Sequence, residues 1–282
     1  MNKKLFSGLC AGLLLMAGIV SAKASDLTAD LKEPGKLVVA VYNNFPPFSD
    51  GGKGIDADLG RALGERLGLA VEIMGFNAGE EMADDLRNSV WKGHYLNGRT
   101  ADVMMHVPVD KVLQDGNPQV KIFGAYHREV IGIARDQRRV QQILGPAGLE
   151  AFTREKIGVE GQTIADAYLL GAFGGRLKDN VVHFKSVPLA AAALKAGEIA
   201  AVMAPISELE AALQGRPDTL VIAPFGGKLI GVEGWSQGMA VKKDHAQLAA
   251  ELDKALAALV ADGTVKKIYA RYGVTWHKGE GE

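Results

Sequence analysis

The chain has 282 residues, with 32 lysines and arginines against 33 aspartates and glutamates. That balance excludes bulk nucleic-acid binding, which needs a basic footprint. A hydrophobic share of 48% and a charged share of 23% suit a globular chain of one large or two modest domains.

The first residues read as a targeting segment. "MNKK" is basic, "LFSGLCAGLLLMAGIV" is apolar, and "SAKAS" offers small-residue cleavage positions after Ala22 or Ala24. The apolar run is shorter than the roughly 20 residues a membrane span needs, so residues 1–24 are expected to be a cleaved signal peptide and the protein to be periplasmic. Cys10, the single cysteine, lies in this run. The residues directly before it do not suit a lipid-anchor signal, and the mature chain would lack disulfides and thiolate chemistry.

"KLVVAVY" (36–42) is a β-branched apolar run that predicts a buried strand. "NNFPPFSDGGKG" (43–54) is a loop, its two prolines barring strand or helix. "IDADLGRALGERLG" carries apolar residues at helical spacing, "AVEIMGF" is a second strand, and "GEEMADDLRNSVWKG" a second helix. "ADVMMHV" (101–107) is a third strand, and a fourth extended run centres on Glu129 to Ala134. A second series follows: "QQILGPAGLEAF" as helix, "KIGVEG" as strand, "TIADAYLLGAFGG" as a helix opened by Thr163, and "VVHFKS" as strand. "VPLAAAALKAGE", "IAAVMAP", "ISELEAALQG" and "TLVIAPF" continue the alternation of helix and strand. "GMAVKKD" and two amphipathic helices separated at Gly263 close the chain.

Alternation of strand and helix gives an α/β class with mainly parallel sheets. Each series contains a strand ending near a proline, "ADVMMHVP" and "IAAVMAP". Two α/β lobes around a cleft are therefore expected, with ligands meeting loops at the strand C-termini.

"VVAVYNNFPPFSDGGKGIDADLGRALGERLGL", "EKIGVEGQT", "LKAGEIAAVMAP" and "GMAVKKDHAQLAAELDKALAALVADGTVKKIYARYG" occur in this order. Together they resemble the periplasmic solute-binding proteins of the family 3 type, the amino-acid substrate-binding components of ABC transporters. The resemblance covers almost the whole mature chain. It implies a type II two-lobed fold with two crossings, lobe 1 from residues 25–134 and 230–282 and lobe 2 from 135–229, closing by a hinge motion. It implies a monomer with a small-molecule ligand, an inner-membrane ABC permease as partner, no catalysis and no cofactor.

Two departures from that family bear on the ligand. Its amino-acid binders hold the ligand carboxylate with an arginine shortly after the third strand, a task suited to the bidentate guanidinium. No arginine occurs from His106 to Gly116, though Lys111 offers a point charge. The acidic residue that takes the ligand ammonium should follow "IAAVM", where Ala204, Pro205 and Ile206 stand, with Glu208 further on. A standard α-amino acid is therefore not the expected ligand. "DVMMHVP" also resembles a narrower branch that accompanies periplasmic quinoprotein alcohol or methanol dehydrogenases. That resemblance implies an alternative: an accessory protein whose partner is a periplasmic dehydrogenase or its cytochrome.

The resemblance puts Asn43, Asn44, Phe45 and Phe48 in one cleft wall, with an aromatic ring against the ligand; the same rings could instead brace the loop on the core. Trp91, His94 and Tyr95 cluster with Arg99 in a long link, a composition common in pockets and interfaces. His106, Pro108 and Asp110 end the third strand. Gln162 and Thr163 open a helix whose N–H groups suit an anionic group. Pro205 ends a second-lobe strand, and Trp235 precedes the last strand near the second crossing. His94, His106 and His127 lack metal-ligand spacing, so no metal site is expected. Asp110 and Glu160 are the candidates for a buried acid or base, but no catalytic fingerprint accompanies them.

Overall fold

The computed structural model describes residues 27, 29–96, 98–143, 145–226 and 233–280. The expected signal peptide and Cys10 lie outside them. No helix among the described residues is long and apolar enough to cross a membrane.

Two sheets of five strands carry the fold. The first holds β1 (Lys36–Tyr42), β2 (Ala70–Phe76), β3 (Val103–Pro108), β4 (Val120–Glu129) and β10 (Trp235–Lys242). Its order is β2-β1-β3-β10-β4, with β1, β2 and β3 parallel and β10 antiparallel to both its neighbours. The second holds β5 (Ile131–Asp136), β6 (Ile157–Glu160), β7 (Val181–Phe184), β8 (Ala201–Pro205) and β9 (Leu220–Pro224), in the order β7-β6-β8-β5-β9. This is the two-lobed α/β architecture expected from the alternation of elements, but the sheets are mixed rather than mainly parallel, because β10 and β5 each run antiparallel to both neighbours.

The unbroken apolar run of β1 reflects burial on both faces. On one side Val39 and Val41 pack with Leu59 and Leu63 of helix α1 (Ile55–Leu67) and with Leu248 and Leu252 of the long C-terminal helix Ala246–Ala261. On the other, Val38 and Ala40 meet Leu86 of helix α2 (Met82–Leu86) and Val90 of the π turn Arg87–Trp91 that continues it. Gly64 lets α1 approach the sheet closely, since a β-carbon there would lie 2.1 Å from a Val71 methyl. Apolar burial on this scale is the main favourable term of folding.

Several elements differ from expectation. Val130 alone separates β4 from β5, so Ile131 to Ala134 pair in the second sheet, and the first crossing precedes the expected boundary at Ala134. The expected second boundary, at residues 229–230, lies outside the described residues. Among the described residues of 141–152 there is no α-helix: Gly145 at φ 61° and Pro146 start a 3-10 segment, Pro146–Thr153, instead. A short helix, α3 (Lys111–Gly116), follows β3 where a loop was expected, because the Asp110 carboxylate caps it through Leu113 N–H. Helix α4 (Ile164–Gly171) stops short of Gly175, with Phe173 and Gly174 in the left-handed region. The remaining helices are α5 (Val187–Lys195), α6 (Ile206–Ala212), α7 (Ala246–Ala261) and α8 (Thr264–Arg271).

Candidate functional site at the junction of the two sheets

The loop after β1 folds back on itself. Phe45 and Ser49 exchange backbone hydrogen bonds of 2.7 and 2.8 Å around Pro46 and Pro47. Gly54 then turns the chain into α1 at φ 126°, where a β-carbon would stand 2.3 Å from the Phe48 carbonyl oxygen. Only glycine fits such a turn. The result places Phe45 and Phe48 over the end of β3 and buries Asp56, 1% exposed, in the first turn of α1. A carboxylate is favoured there by the helix dipole.

His106 lies under these rings, 4.8 Å from Phe45 and 4.3 Å from Phe48 between centroids. Its φ of 62° is uncommon for a residue with a side chain, and such strain persists where surrounding contacts over-determine it. Those contacts are visible. His106 N–H donates to the Tyr126 hydroxyl at 2.9 Å, and that hydroxyl donates to Asp56 Oδ1 at 2.7 Å. His106 Nδ1 donates to Asp56 Oδ2 at 3.0 Å, so Nε2 is the acceptor for the Gln237 side-chain amide at 2.7 Å. Burial, and then the Asp56 charge, push the Tyr126 phenol well above its ordinary range, so it stays a donor. The Gln237 carbonyl oxygen, buried on β10, has no partner.

A second polar group spans the crossing. His127 Nδ1 donates to the His277 carbonyl at 3.2 Å, leaving Nε2 to accept from Ser207 Oγ at 3.0 Å. His127 belongs to β4 and Ser207 to α6, so this bond joins the two lobes. Glu129 Oε1 accepts from Val130 N–H at 3.1 Å and, less closely, from Ser207 N–H at 3.4 Å. Its Oε2 has no hydrogen-bond partner, with His127 Nε2 3.6 Å away. Glu160, at the end of β6, accepts from Val187 N–H at 3.1 Å. Glu208 is buried beside Ser207, and burial, reinforced by the Glu160 and Glu129 charges, holds its carboxyl well above the ordinary range.

These two groups bring some of the expected residues together. Phe45, Phe48, His106 and Pro108 gather at the C-terminal end of β3. Asn43 is half-buried and donates to Asn77 Oδ1 at 3.1 Å, and Asn44 is exposed at φ 53°. Asp110 is exposed and engaged as the cap of α3. Thr163 caps α4 through Asp166 N–H, and exposed Gln162, at φ 66°, donates its N–H to Asp166 Oδ2. Pro205 ends β8 and is followed by Ile206, Ser207 and Glu208, while Trp235 packs on the core of lobe 2. His94 and Tyr95 are not brought to this junction. Their link enters β3 at its first residues, where Arg99 pairs with Glu72 beside Lys36, at the other end of the sheet. Trp91 packs inward on the cluster of Leu86 and Val90, and Tyr95 is exposed, its ring 4.4 Å from His94.

Asp56, Tyr126, Glu129, Ser207, Glu208 and Gln237 were not singled out as site residues from the sequence. A faint signal existed for two of them. Asp56 is an acidic residue in a helix start that the apolar spacing buries, and Gln237 is a polar residue two positions before the apolar run Met239–Val241 of the final strand.

No family model matches the chain. Solved structures share its fold. An ancestral cationic amino acid solute-binding protein matches with a TM-score of 0.67 at 18% identity, over 89% of this chain and 99% of that one. An amino acid ABC transporter substrate-binding protein from Streptococcus pneumoniae, bound to L-arginine, matches at 0.60 and 18% identity, again over 89% and 99%. A histidine kinase sensor domain with similarity to periplasmic binding proteins matches at 0.55 and 22% identity, over 86% and 98%.

Proposed function

We propose that the protein is an extracytoplasmic solute-binding protein that captures a small molecule between its lobes and performs no catalysis. One observation carries this reading. The strand C-termini of both sheets converge on a junction where a strained histidine, two aromatic rings and several buried polar groups meet across a one-residue crossing. Ligands of open α/β sheets bind at such strand ends, and a crossing this short suits a hinge. The fold shared with solute-binding proteins and with a sensor domain supports the same reading. No arginine stands from His106 to Gly116, the stretch where the family resemblance puts a carboxylate clamp, so a standard α-amino acid is disfavoured.

Ligand binding to the native state raises its melting temperature by mass action. A thermal-shift screen of the mature protein against amines, amino acids, organic acids, alcohols, sugars and metal ions tests the reading. A saturable shift with one small-molecule class supports capture; silence across all classes overturns it.

A second reading has one observation in its favour. Tyr95 and Leu96 are 87% and 75% exposed on the link between the π turn and β3, a pair of apolar side chains suited to a protein partner. On that reading the protein serves a periplasmic dehydrogenase, and Tyr95→Ser with Leu96→Ser would abolish co-purification with it.

A further inference from the structure

An apolar groove of about 410 Å³ lies in lobe 2, between helix α4 and the 3-10 segment Pro146–Thr153. Pro146 and Leu149 form one wall, and Ala167, Tyr168, Gly171 and Phe173 the other. None of the residues that meet at the interlobe junction lines it. Small-ligand pockets span about 300–1,000 Å³ and are mostly apolar and aromatic with few polar groups, and the groove meets both conditions.

The sequence makes this groove in two ways. Ala167 and Gly171 stand four residues apart on one face of α4. They carry almost no side chain, so the helix leaves space beside the fully buried Leu149. The helix then breaks: Ala172 is extended, and Phe173 and Gly174 are left-handed at φ 52° and 64°. A phenylalanine held in that region is strained, and such strain collects at ligand clamps. The break carries the Phe173 ring to the groove. Tyr168 is braced by Phe225, with ring centroids 5.5 Å apart and planes at 70°, the edge-to-face arrangement that aromatic pairs favour.

Charge indicates what the groove takes. The Arg176 guanidinium lies 5.3 Å from the centre of the Phe173 ring. This arginine is exposed, and among the described residues no carboxylate pairs with it. Stacking on a ring engages the face of a guanidinium and leaves its N–H edge free for a carboxylate. No acidic side chain lines the groove. The Tyr168 hydroxyl has no hydrogen-bond partner among the described residues, and burial raises its phenol above the ordinary value, so it stays a donor. A cationic ligand would meet Arg176 as a like charge, and a neutral one would leave it unused.

We propose that this groove is a second binding site, separate from the interlobe junction, that takes a small aryl carboxylate. The ligand ring lies over Ala167 and Gly171 between the rings of Tyr168 and Phe173, and its carboxylate meets Arg176 at the rim.

The test is calorimetric titration of the mature protein with phenylacetate, with phenylacetamide as the neutral analogue and acetate as the charge without the ring. Phenylacetate is expected to bind at one site per chain, roughly tenfold or more tightly than either. Arg176→Gln should remove that preference over the amide. Ala167→Leu keeps a good helix former and fills the groove, so it should abolish phenylacetate binding. Should that variant fail to fold by circular dichroism, Gly171→Leu carries the same test, since a β-carbon there meets nothing within 4 Å. No binding of phenylacetate, or binding of the amide or of acetate as tight as its own, would overturn the proposal. So would undiminished binding by a folded groove-filling variant, which would place the ligand elsewhere on the molecule.

Discussion

His106 Nδ1 and Asp56 Oδ2 lie 3.0 Å apart, joining the end of β3 to the first turn of α1 across 50 residues of sequence. The same carboxylate accepts from Tyr126 on β4, and His106 in turn accepts from Gln237 on β10. One buried aspartate thus fixes the orientation of the histidine ring at the end of β3.

Replacing Asp56 by alanine leaves both His106 and Tyr126 without their acceptor. Each buried group so stranded costs about 1–3 kcal/mol, so the variant is expected to lose several kcal/mol in urea denaturation. Asp56→Asn retains the shape and one acceptor oxygen and should lose less. Equal stability of wild type and Asp56→Ala would show that the network does not support the fold.

The two rings that enclose His106 should separate by experiment. Phe48 is 1% exposed, and truncating a fully buried phenylalanine costs about 3–5 kcal/mol through lost burial and the cavity left behind. Phe45 is only half-buried, so Phe45→Ala should cost less stability and act more on ligand affinity. Thermal melts with and without ligand distinguish them. A Phe45 variant that binds like wild type would place that ring outside the binding surface.

The arrangement of strands was legible because its signals are local: β-branched runs bounded by prolines and glycines, and helices with apolar faces of their own. The crossing at Val130 was harder to read, because β4 and β5 form one continuous extended run and only their pairing partners tell them apart. The segment around Gly145–Pro146 looked helical by composition, but proline and a glycine at positive φ confine it to 3-10 turns. The aromatic wall at Phe45 and Phe48 and the histidine at 106 could be named because turn chemistry and strand ends mark them. The carboxylates at 56, 129 and 208 could not, since a glutamate inside a strand or helix start reads as solvated until tertiary packing buries it. The link with Tyr95 has a composition typical of pockets, yet it joins the sheet at the end where Arg99 pairs with Glu72.

Stability should vary with pH in two opposed limbs. Glu208 keeps its proton in the folded state to higher pH than in the unfolded chain, because of burial and the Glu160 and Glu129 charges. Its contribution is full below the ordinary glutamate value of 4.5 and is lost as pH rises above it. Asp85 and Asp102, raised chiefly by burial, act in the same direction. On the acid side, Asp136 is held at about 2 by its hydrogen bond from Arg138, and Asp262 at about 2 by Thr264 and then Arg66. Their contribution is present above the ordinary aspartate value of 3.8 and is lost as pH falls toward 2. The melting temperature should therefore peak near about pH 5. Glu208→Gln should flatten the alkaline limb and leave the acid limb unchanged; an alkaline limb as steep as that of wild type would assign it to other groups.

The chain beyond α8 ties the lobes together, and removing it should loosen both the fold and the junction. Trp276 Nε1 donates to the Tyr126 carbonyl at 2.7 Å, and Arg128 N–H donates to the His277 carbonyl at 3.0 Å, so this segment runs along β4. Thr275 donates to Glu210 of α6 through its N–H at 2.6 Å and its hydroxyl at 2.9 Å, a contact that crosses to lobe 2. The His277 carbonyl also holds His127 in the tautomer that accepts from Ser207. A chain ending at Gly273 loses all of these at once and exposes Val274's packing site on the lobe 1 core. Loss of backbone hydrogen bonds and burial, rather than position at a terminus, determines the cost of a truncation. The shortened protein should melt lower than the full chain, and small-angle scattering should give it a larger radius of gyration without ligand, as the lobes part. An unchanged radius with a lowered melting temperature would confine the segment to bracing lobe 1 and assign the interlobe latch to His127 and Ser207 alone.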